Sequence, residues 1–202
     1  MNNKVLLGMS GGVDSSVSAL LLKEQGYEVI GTTLELFAGS SCCNTNTYLD
    51  AKNVCTSIGI PHFIYDYKNE FKEHIINDFF NCYANCKTPN PCIECNKYMK
   101  FGFMWEKAKE LGCDYIATGH YAKTEYSEEY GRWVLKKSNN EKKDQSYVLW
   151  NMPKELIQHI LFPLADFESI DELREIAKKN NIKVANKPDS EDICFVPDGN
   201  YI

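Results

Sequence analysis

Lys4-Val-Leu-Leu-Gly8-Met-Ser-Gly-Gly-Val-Asp-Ser15-Ser16 is the stretch from which the fold can be read. Lys4 to Gly8 reads as a short buried strand, and Ser15 to Gln25 as a helix closed by Gly26, a residue suited to the left-handed position after a helix end. Between them lies a glycine loop. Gly11 and Gly12 let the backbone turn tightly and approach a ligand with no Cβ in the way, so that successive amides converge on an anion. The helix adds unpaired amides and the positive end of its dipole, and Ser10, Ser15 and Ser16 offer hydroxyls to the same anion. The Gly-Lys-Ser/Thr ending of a Walker loop is absent, and with it the lysine that reaches terminal phosphates, which points away from cleavage at that end. The plain alternative is a Gly-Gly turn in which Asp14 or Ser15 caps a helix.

Outward from this loop the pattern alternates. Glu28 to Phe37 reads as a strand, Thr47 to Ile58 as a helix, His62 to Tyr65 as a strand, Phe71 to Tyr83 and Asn96 to Leu111 as helices, and Asp114 to Thr118 as a strand. Such alternation predicts an α/β fold, a parallel sheet with helices on both faces and ligands at the carboxyl ends of the strands. From Tyr121 the pattern changes. A hairpin signal surrounds Glu129-Tyr-Gly131, a charged loop follows from Ser138 to Lys143, and helices are expected at Pro153 to Ile160 and Ser169 to Asn180 before an extended Asp192 to Val196. We therefore expect a nucleotide-binding domain over residues 1-137 and a small, mostly helical segment over 138-202, ending at Ile202 as though cut short.

The chain has 202 residues, 44% of them hydrophobic and 25% charged, which suits one sizeable core and excludes collagen-like, low-complexity and disordered classes. Lys and Arg number 22 against 28 Asp and Glu, a net charge of -6, so any contact with nucleic acid must be local. Clusters such as Lys136-Lys137, Lys142-Lys143 and Lys178-Lys179 with Lys183 and Lys187 are available for it, although charge runs are more often solvated surface. The longest apolar stretch near the N-terminus, Val17 to Leu22, is far too short for a membrane span, and no secretory signal precedes it. A cytoplasmic protein without membrane contact is expected.

Nine cysteines, an odd number without an export signal, argue against a disulfide framework. Cys55, Cys113 and Cys82 sit among apolar positions and read as packing. Thr88-Pro-Asn-Pro-Cys92-Ile-Glu-Cys95-Asn-Lys97 is different, with two thiols just before a helix, where the dipole and nearby Lys97 and Lys100 favour thiolates. Half of a zinc site, with Cys82 and Cys86 as the other half, is the alternative. Cys194 lies far along the chain in a polar, extended stretch, and Cys42-Cys43 falls where an active-site loop is expected but has no assigned role.

Ser10-Gly-Gly-Val-Asp-Ser15 resembles the signature of the PP-loop ATP pyrophosphatases, which split ATP into AMP and pyrophosphate. With Thr88-Pro-Asn-Pro91, Cys95-Asn-Lys97, Ala117-Thr-Gly-His-Tyr-Ala122, Lys143-Asp-Gln-Ser-Tyr147 and Asp192-Ile-Cys-Phe195 in order, the chain resembles the amino-terminal and central part of the tRNA-specific 2-thiouridylases of the MnmA family. The resemblance implies ATP and Mg2+ as cofactors and transfer of sulfur to the wobble uridine of a tRNA anticodon. It implies that Gly8, Met9, Ser10, Gly11, Gly12, Val13, Asp14 and Ser15 hold ATP, with Leu34 and Gly119 also contacting the nucleotide. His120, Lys143, Asp144 and Gln145 would approach tRNA, and Asn90, Pro91 and Cys92 would lie beside the target base. Cys95 matches the catalytic nucleophile, and Cys194 the cysteine that carries a persulfide loaded by an upstream sulfur-carrier protein, with a Cys95–Cys194 disulfide left after transfer.

Many relatives have an aspartate where this chain has Cys92, so its acid-base role is open. Cys92, Cys95 and Cys194 offer a rival route as ligands of a [4Fe-4S] cluster whose fourth iron binds sulfide. Two other readings stand beside thiolation: a PP-loop ligase adenylylating a small molecule, and a truncated protein that binds ATP or tRNA without turnover. Family members usually continue into a β-barrel, which is expected to be missing here.

Overall fold

A computed structural model describes residues 3–37, 45–187 and 193–196. Cys42 and Cys43 lie outside the described residues. The strands β1 (Lys4–Gly8), β2 (Glu28–Glu35), β3 (His62–Asp66), β4 (Tyr115–Ala117) and β7 (Ile160–Leu161) form one parallel sheet in the order β3-β2-β1-β4-β7. β1 is central, and Val5, Leu6 and Leu7 are fully buried because helices cover both faces. Side chains alternate along it: Val5 and Leu7 enter one hydrophobic cluster, with Val17, Leu22, Val54 and Cys55, while Leu6 enters a second, with Phe101, Met104 and Ala108. This is the expected α/β architecture.

The first cluster is covered by α1 (Val13–Glu24), α2 (Thr45–Ile58) and α7 (Ile170–Lys179), which contributes Leu173 and Ala177. Ser169 caps α7 by accepting a hydrogen bond from the Asp171 N–H at 3.0 Å. The second cluster is covered by α6 (Met104–Glu110) and by the short 3-10 helices Ser146–Val148 and Lys154–His159. The antiparallel hairpin of β5 (Ala122–Ser127) and β6 (Arg132–Lys137) turns at Gly131, whose φ of 58° is left-handed, as the Glu129-Tyr-Gly131 signal predicts.

Two segments differ from expectation. Pro153 to Ile160 is not an α-helix: Pro153, with ψ 127°, starts a 3-10 helix, and Ile160 leaves it to pair with Ile116 at the sheet edge. Tertiary pairing overrides the helical pattern there. In the second segment, Ile193 to Val196 turns rather than extends, with the Val196 N–H donating to the Ile193 carbonyl at 3.0 Å. Phe195 explains the turn, because its ring inserts among Phe37, Phe71 and Phe79 at centroid distances of 6.5, 5.8 and 5.3 Å.

Helices α3 (Lys68–Phe71) and α4 (Asn77–Ala84) are joined through a π-helical stretch, Lys72–Ile76, and α5 (Pro91–Cys95) continues through a second, Asn96–Phe103, into α6. No helix among the described residues is long and apolar enough to cross a membrane.

Leu173 is wholly buried between α7 and the first cluster, so Leu173→Ala should destabilise the chain by about 2–5 kcal/mol in urea unfolding. A loss below about 1 kcal/mol would mean that α7 frays independently of the sheet.

Candidate functional site

In a parallel sheet, loops from neighbouring strands diverge where the chain direction of winding reverses, leaving a crevice at the carboxyl ends. β1 lies between β2 and β4, so the loop after β1 and the loop after β4 border this crevice. The first is the glycine loop and the second carries Gly119 and His120. They meet backbone to backbone: a Cβ on Gly119 would lie 2.9 Å from the Ser15 nitrogen and 3.0 Å from the Asp14 carbonyl carbon. Gly11 is constrained twice over, by a φ of 67° and by the Thr47 carbonyl oxygen, 2.5 Å from where its Cβ would be. Both glycines are therefore required by close approach.

Gly8 ends β1, Met9 and Val13 are buried anchors, and Gly12 is the N-cap of α1. With glycine as its N-cap, the helix turns the positive end of its dipole toward the loop with no capping side chain on that residue. Ser15 hydroxyl donates to the Gly12 carbonyl at 3.2 Å and accepts the Ser10 N–H at 3.2 Å, bracing the loop. Ser16 was expected to offer its hydroxyl to an anion. It instead is fully buried and donates to the Gly12 carbonyl at 2.7 Å, leaving the exposed Ser10 better placed for that role.

Asp14 sits in the first turn of α1 and accepts a hydrogen bond from the Tyr121 hydroxyl at 3.1 Å. Tyr121 is buried and serves as a core strut. Its backbone exchanges two hydrogen bonds with Gln145, N–H to Oε1 at 3.0 Å and Gln145 N–H to carbonyl at 2.8 Å. Asp144 closes its own loop by accepting from the Ser138 N–H at 2.9 Å and the Ser146 hydroxyl at 2.6 Å. Lys143, at the same loop, is half-buried. Thus Lys143, Asp144 and Gln145 are tied through Tyr121 to the turn that carries Asp14.

His120 is held between two partners. The Lys100 ammonium, which can only donate, is 3.3 Å from Nε2, so Nε2 accepts and the ring proton resides on Nδ1, donating to Thr118 Oγ1 at 2.7 Å. Burial and then the Lys100 charge hold its pKa well below the ordinary histidine value. Lys100 is therefore engaged with His120, rather than serving the thiols as its position in sequence had implied.

The second part of the site lies where β2 ends. Leu34 packs between the second cluster and a third, formed by Leu36, Phe71, Ile75 and Met99. Cys95 and Cys194, remote in sequence, both pack against this third cluster. Cys95 is the last residue of α5, whose N-cap Asn90 accepts from the Cys92 N–H at 3.2 Å and whose first residue is the buried Pro91. Cys92 is exposed. Asn96, which sequence reasoning did not single out beyond its motif, is buried beside Cys95 and donates to the Val148 carbonyl at 3.0 Å, pinning the helix to the segment after Gln145. Its intermediate position in Cys95-Asn-Lys97 was the available signal.

Cys95 and Cys194 are not joined by a disulfide in this state, and each is half-buried against apolar side chains. Nor do three thiols converge. Among the described residues no group of three His, Cys, Asp or Glu side chains is placed to hold a metal ion, so Cys92, Cys95 and Cys194 as arranged do not fit an iron-sulfur cluster, and Cys82, Cys86, Cys92 and Cys95 do not fit zinc. Cys55 and Cys113 are buried core thiols, as expected, with burial pushing Cys55 up to about 12.

The tRNA methyl transferase HUP domain family matches residues 3–198. Over 208 residues the chain is 50% identical to the tRNA-specific 2-thiouridylase MnmA of Clostridioides difficile strain 630, covering 100% of this chain and 57% of that protein. It is 49% identical over 209 residues to the enzyme of the same name from Clostridium acetobutylicum, covering 100% and 58%. The chain spans a little over half the length of these curated relatives. Among solved structures it resembles a 4-thiouridine synthetase–RNA complex with bound ATP, with a TM-score of 0.65 and 17% identity over 98% of this chain and 46% of that one. It also resembles the U34-tRNA thiolase NcsA of Methanococcus maripaludis with its [4Fe-4S] cluster, with a TM-score of 0.61 and 21% identity over 95% and 62%. At such identities the structural likeness is one of fold.

Because His120 stays neutral in the fold while an unfolded histidine binds a proton below about pH 6.5, stability should fall as pH drops through that value. The urea midpoint of His120→Asn should fall less between pH 7 and 5.5 than that of the parent. An equal fall would assign the dependence to His62, whose pKa burial also lowers.

Proposed function

The chain belongs to the tRNA methyl transferase HUP domain family, and from that premise we propose that it carries out ATP-dependent 2-thiolation of the wobble uridine in tRNA anticodons, as a tRNA-uridine sulfurtransferase of the cytoplasm. The observation that carries this reading is the packing of Cys95 and Cys194 on one cluster at the end of β2, beside the glycine loop. Thr47 and Tyr48 join the two halves: the Thr47 carbonyl abuts Gly11, and Tyr48 packs on the thiol cluster. A small-molecule ligase would have no use for the two thiols.

The division at residue 137 is then one of roles, with residues 1-137 holding ATP and residues 138-202 facing tRNA and carrying Cys194. ATP lies in the crevice between Gly8–Ser15 and Gly119, with Leu34 against the nucleoside. The α1 amides bind its phosphates, at a helix end whose N-cap is the glycine Gly12. The 2-carbonyl oxygen of uracil, a poor leaving group, attacks the α-phosphorus and expels pyrophosphate, so that the later departure is of AMP. When bound, Mg2+ would neutralise charge growing on pyrophosphate. The Asp14 carboxylate at the loop fits it through water, since this ion is commonly held by one or two carboxylates together with substrate phosphates.

The flipped uridine lies near Asn90, Pro91 and Cys92, with His120, Lys143, Asp144 and Gln145 on the tRNA side. A sulfur-carrier protein loads Cys194 as a persulfide. Its terminal sulfur attacks C2 and AMP leaves. The Cys95 thiolate attacks the Cys194 sulfur, forming the Cys95–Cys194 bond and breaking the sulfur–sulfur bond of the persulfide, whose electrons stay on the transferred sulfur. A dithiol reductant restores both free thiols.

Cys194→Ser should retain tRNA-stimulated pyrophosphate release and lose 2-thiouridine, read by mass analysis of anticodon nucleosides. Thiolation surviving that change would sink the role of Cys194. Gly119→Ala should weaken ATP binding by about tenfold or more, because its methyl must displace the backbone at Asp14 and Ser15. Calorimetric titration of ATP into the two chains measures this.

A further inference from the structure

The glycine loop binds anions through amides, which carry no formal charge, and the stretch Gly8 to Ser16 contains no Lys or Arg. A lysine from elsewhere reaches it. Lys187, near the end of the second described stretch, places its ammonium 3.1 Å from the Gly11 carbonyl and 2.8 Å from Asp50 Oδ2 on α2. Neither side chain is deeply buried, each being 35% exposed. An ion pair this open to water is weak and readily exchanged.

We propose that Lys187 is a phosphate-binding residue for the nucleotide on the glycine loop, and that Asp50 is the counter-ion it exchanges for the polyphosphate. The inference rests on the nucleotide reading given above. A polyphosphate brings several negative charges to the loop, against the single charge of Asp50, so the ammonium is drawn to it. A lysine suits the exchange, being a compact charge on a flexible four-carbon stem with three donors, of which the two bonds seen here use two. Asp50 itself, close to the loop, repels phosphate once Lys187 leaves it.

A merely structural tie between Lys187, Gly11 and Asp50 makes a different prediction from a phosphate ligand. The test is ATP affinity by calorimetry on the 202-residue chain, with the urea midpoint of each variant measured alongside. Lys187→Gln keeps a donor for Gly11 but removes the charge, and should weaken ATP by about tenfold. Lys187→Arg should restore most of the affinity. Asp50→Asn should leave ATP binding unchanged or tighten it, opposite in sign to Lys187→Gln even if both lower the urea midpoint. ATP affinity of Lys187→Gln within about twofold of the parent overturns the proposal. So does an Asp50→Asn loss equal to that of Lys187→Gln, the mark of a structural tie. If the parent chain bound no ATP, this proposal and the nucleotide reading would fall together. ATP binding that follows the expected pattern without thiolation would count against the sulfur-transfer reading alone.

Discussion

Backbone pressed against backbone at Gly119 and the first turn of α1 is the constraint on which the rest of the molecule depends. It forces the loop after β4 to follow the glycine loop closely, and Tyr121, two residues further along, then lands where its hydroxyl can meet Asp14. Through the two hydrogen bonds that the Tyr121 backbone makes with Gln145, one to its side chain and one to its backbone, the same contact sets the position of the Lys143–Gln145 loop. The Asn96 side chain extends the chain of dependence to the helix that ends in Cys95, because it bonds the Val148 carbonyl just beyond that loop. Positions scattered along the sequence are thus placed by a handful of short contacts radiating from one glycine.

The thiol region follows a different logic, of shape rather than hydrogen bonding. Phe195 meets Phe37, Phe71 and Phe79 edge-on, and such ring pairs contribute about 0.5–1.5 kcal/mol each beyond burial. That aromatic grip seats the neighbouring Cys194 on the cluster that Cys95 also touches. No disulfide joins the two sulfurs. An apolar setting also limits water around a reactive sulfur.

The architecture was legible because β1 and the glycine loop combine two independent signals, a buried apolar run and a glycine pair between strand and helix. The alternation that follows left little freedom in topology. The site was less legible where contacts are long-range. Nothing local marks Ser16 as a hydroxyl turned inward, Tyr121 as a strut to Asp14, or Lys187 as a visitor to the loop, since each depends on a partner brought by the fold. Pro153 to Ile160 misled for the same reason: its helical periodicity yields to strand pairing at Ile116. The turn at Cys194 depends on an aromatic socket assembled from three other elements.

The wide helical stretch Asn96–Phe103 has a consequence for how the cysteine side of the site tolerates change in chain length. A π turn accommodates one residue more than an α turn, so a single deletion there can be absorbed by relaxing to ordinary α-helix, whereas tightening the stretch at unchanged length would turn everything before it by about 100° about the axis. Cys95 would rotate off its cluster and Asn96 off the Val148 carbonyl, although no side chain of either had been altered. Helical phase, and not merely the identity of the residues, is therefore part of what this protein must inherit intact.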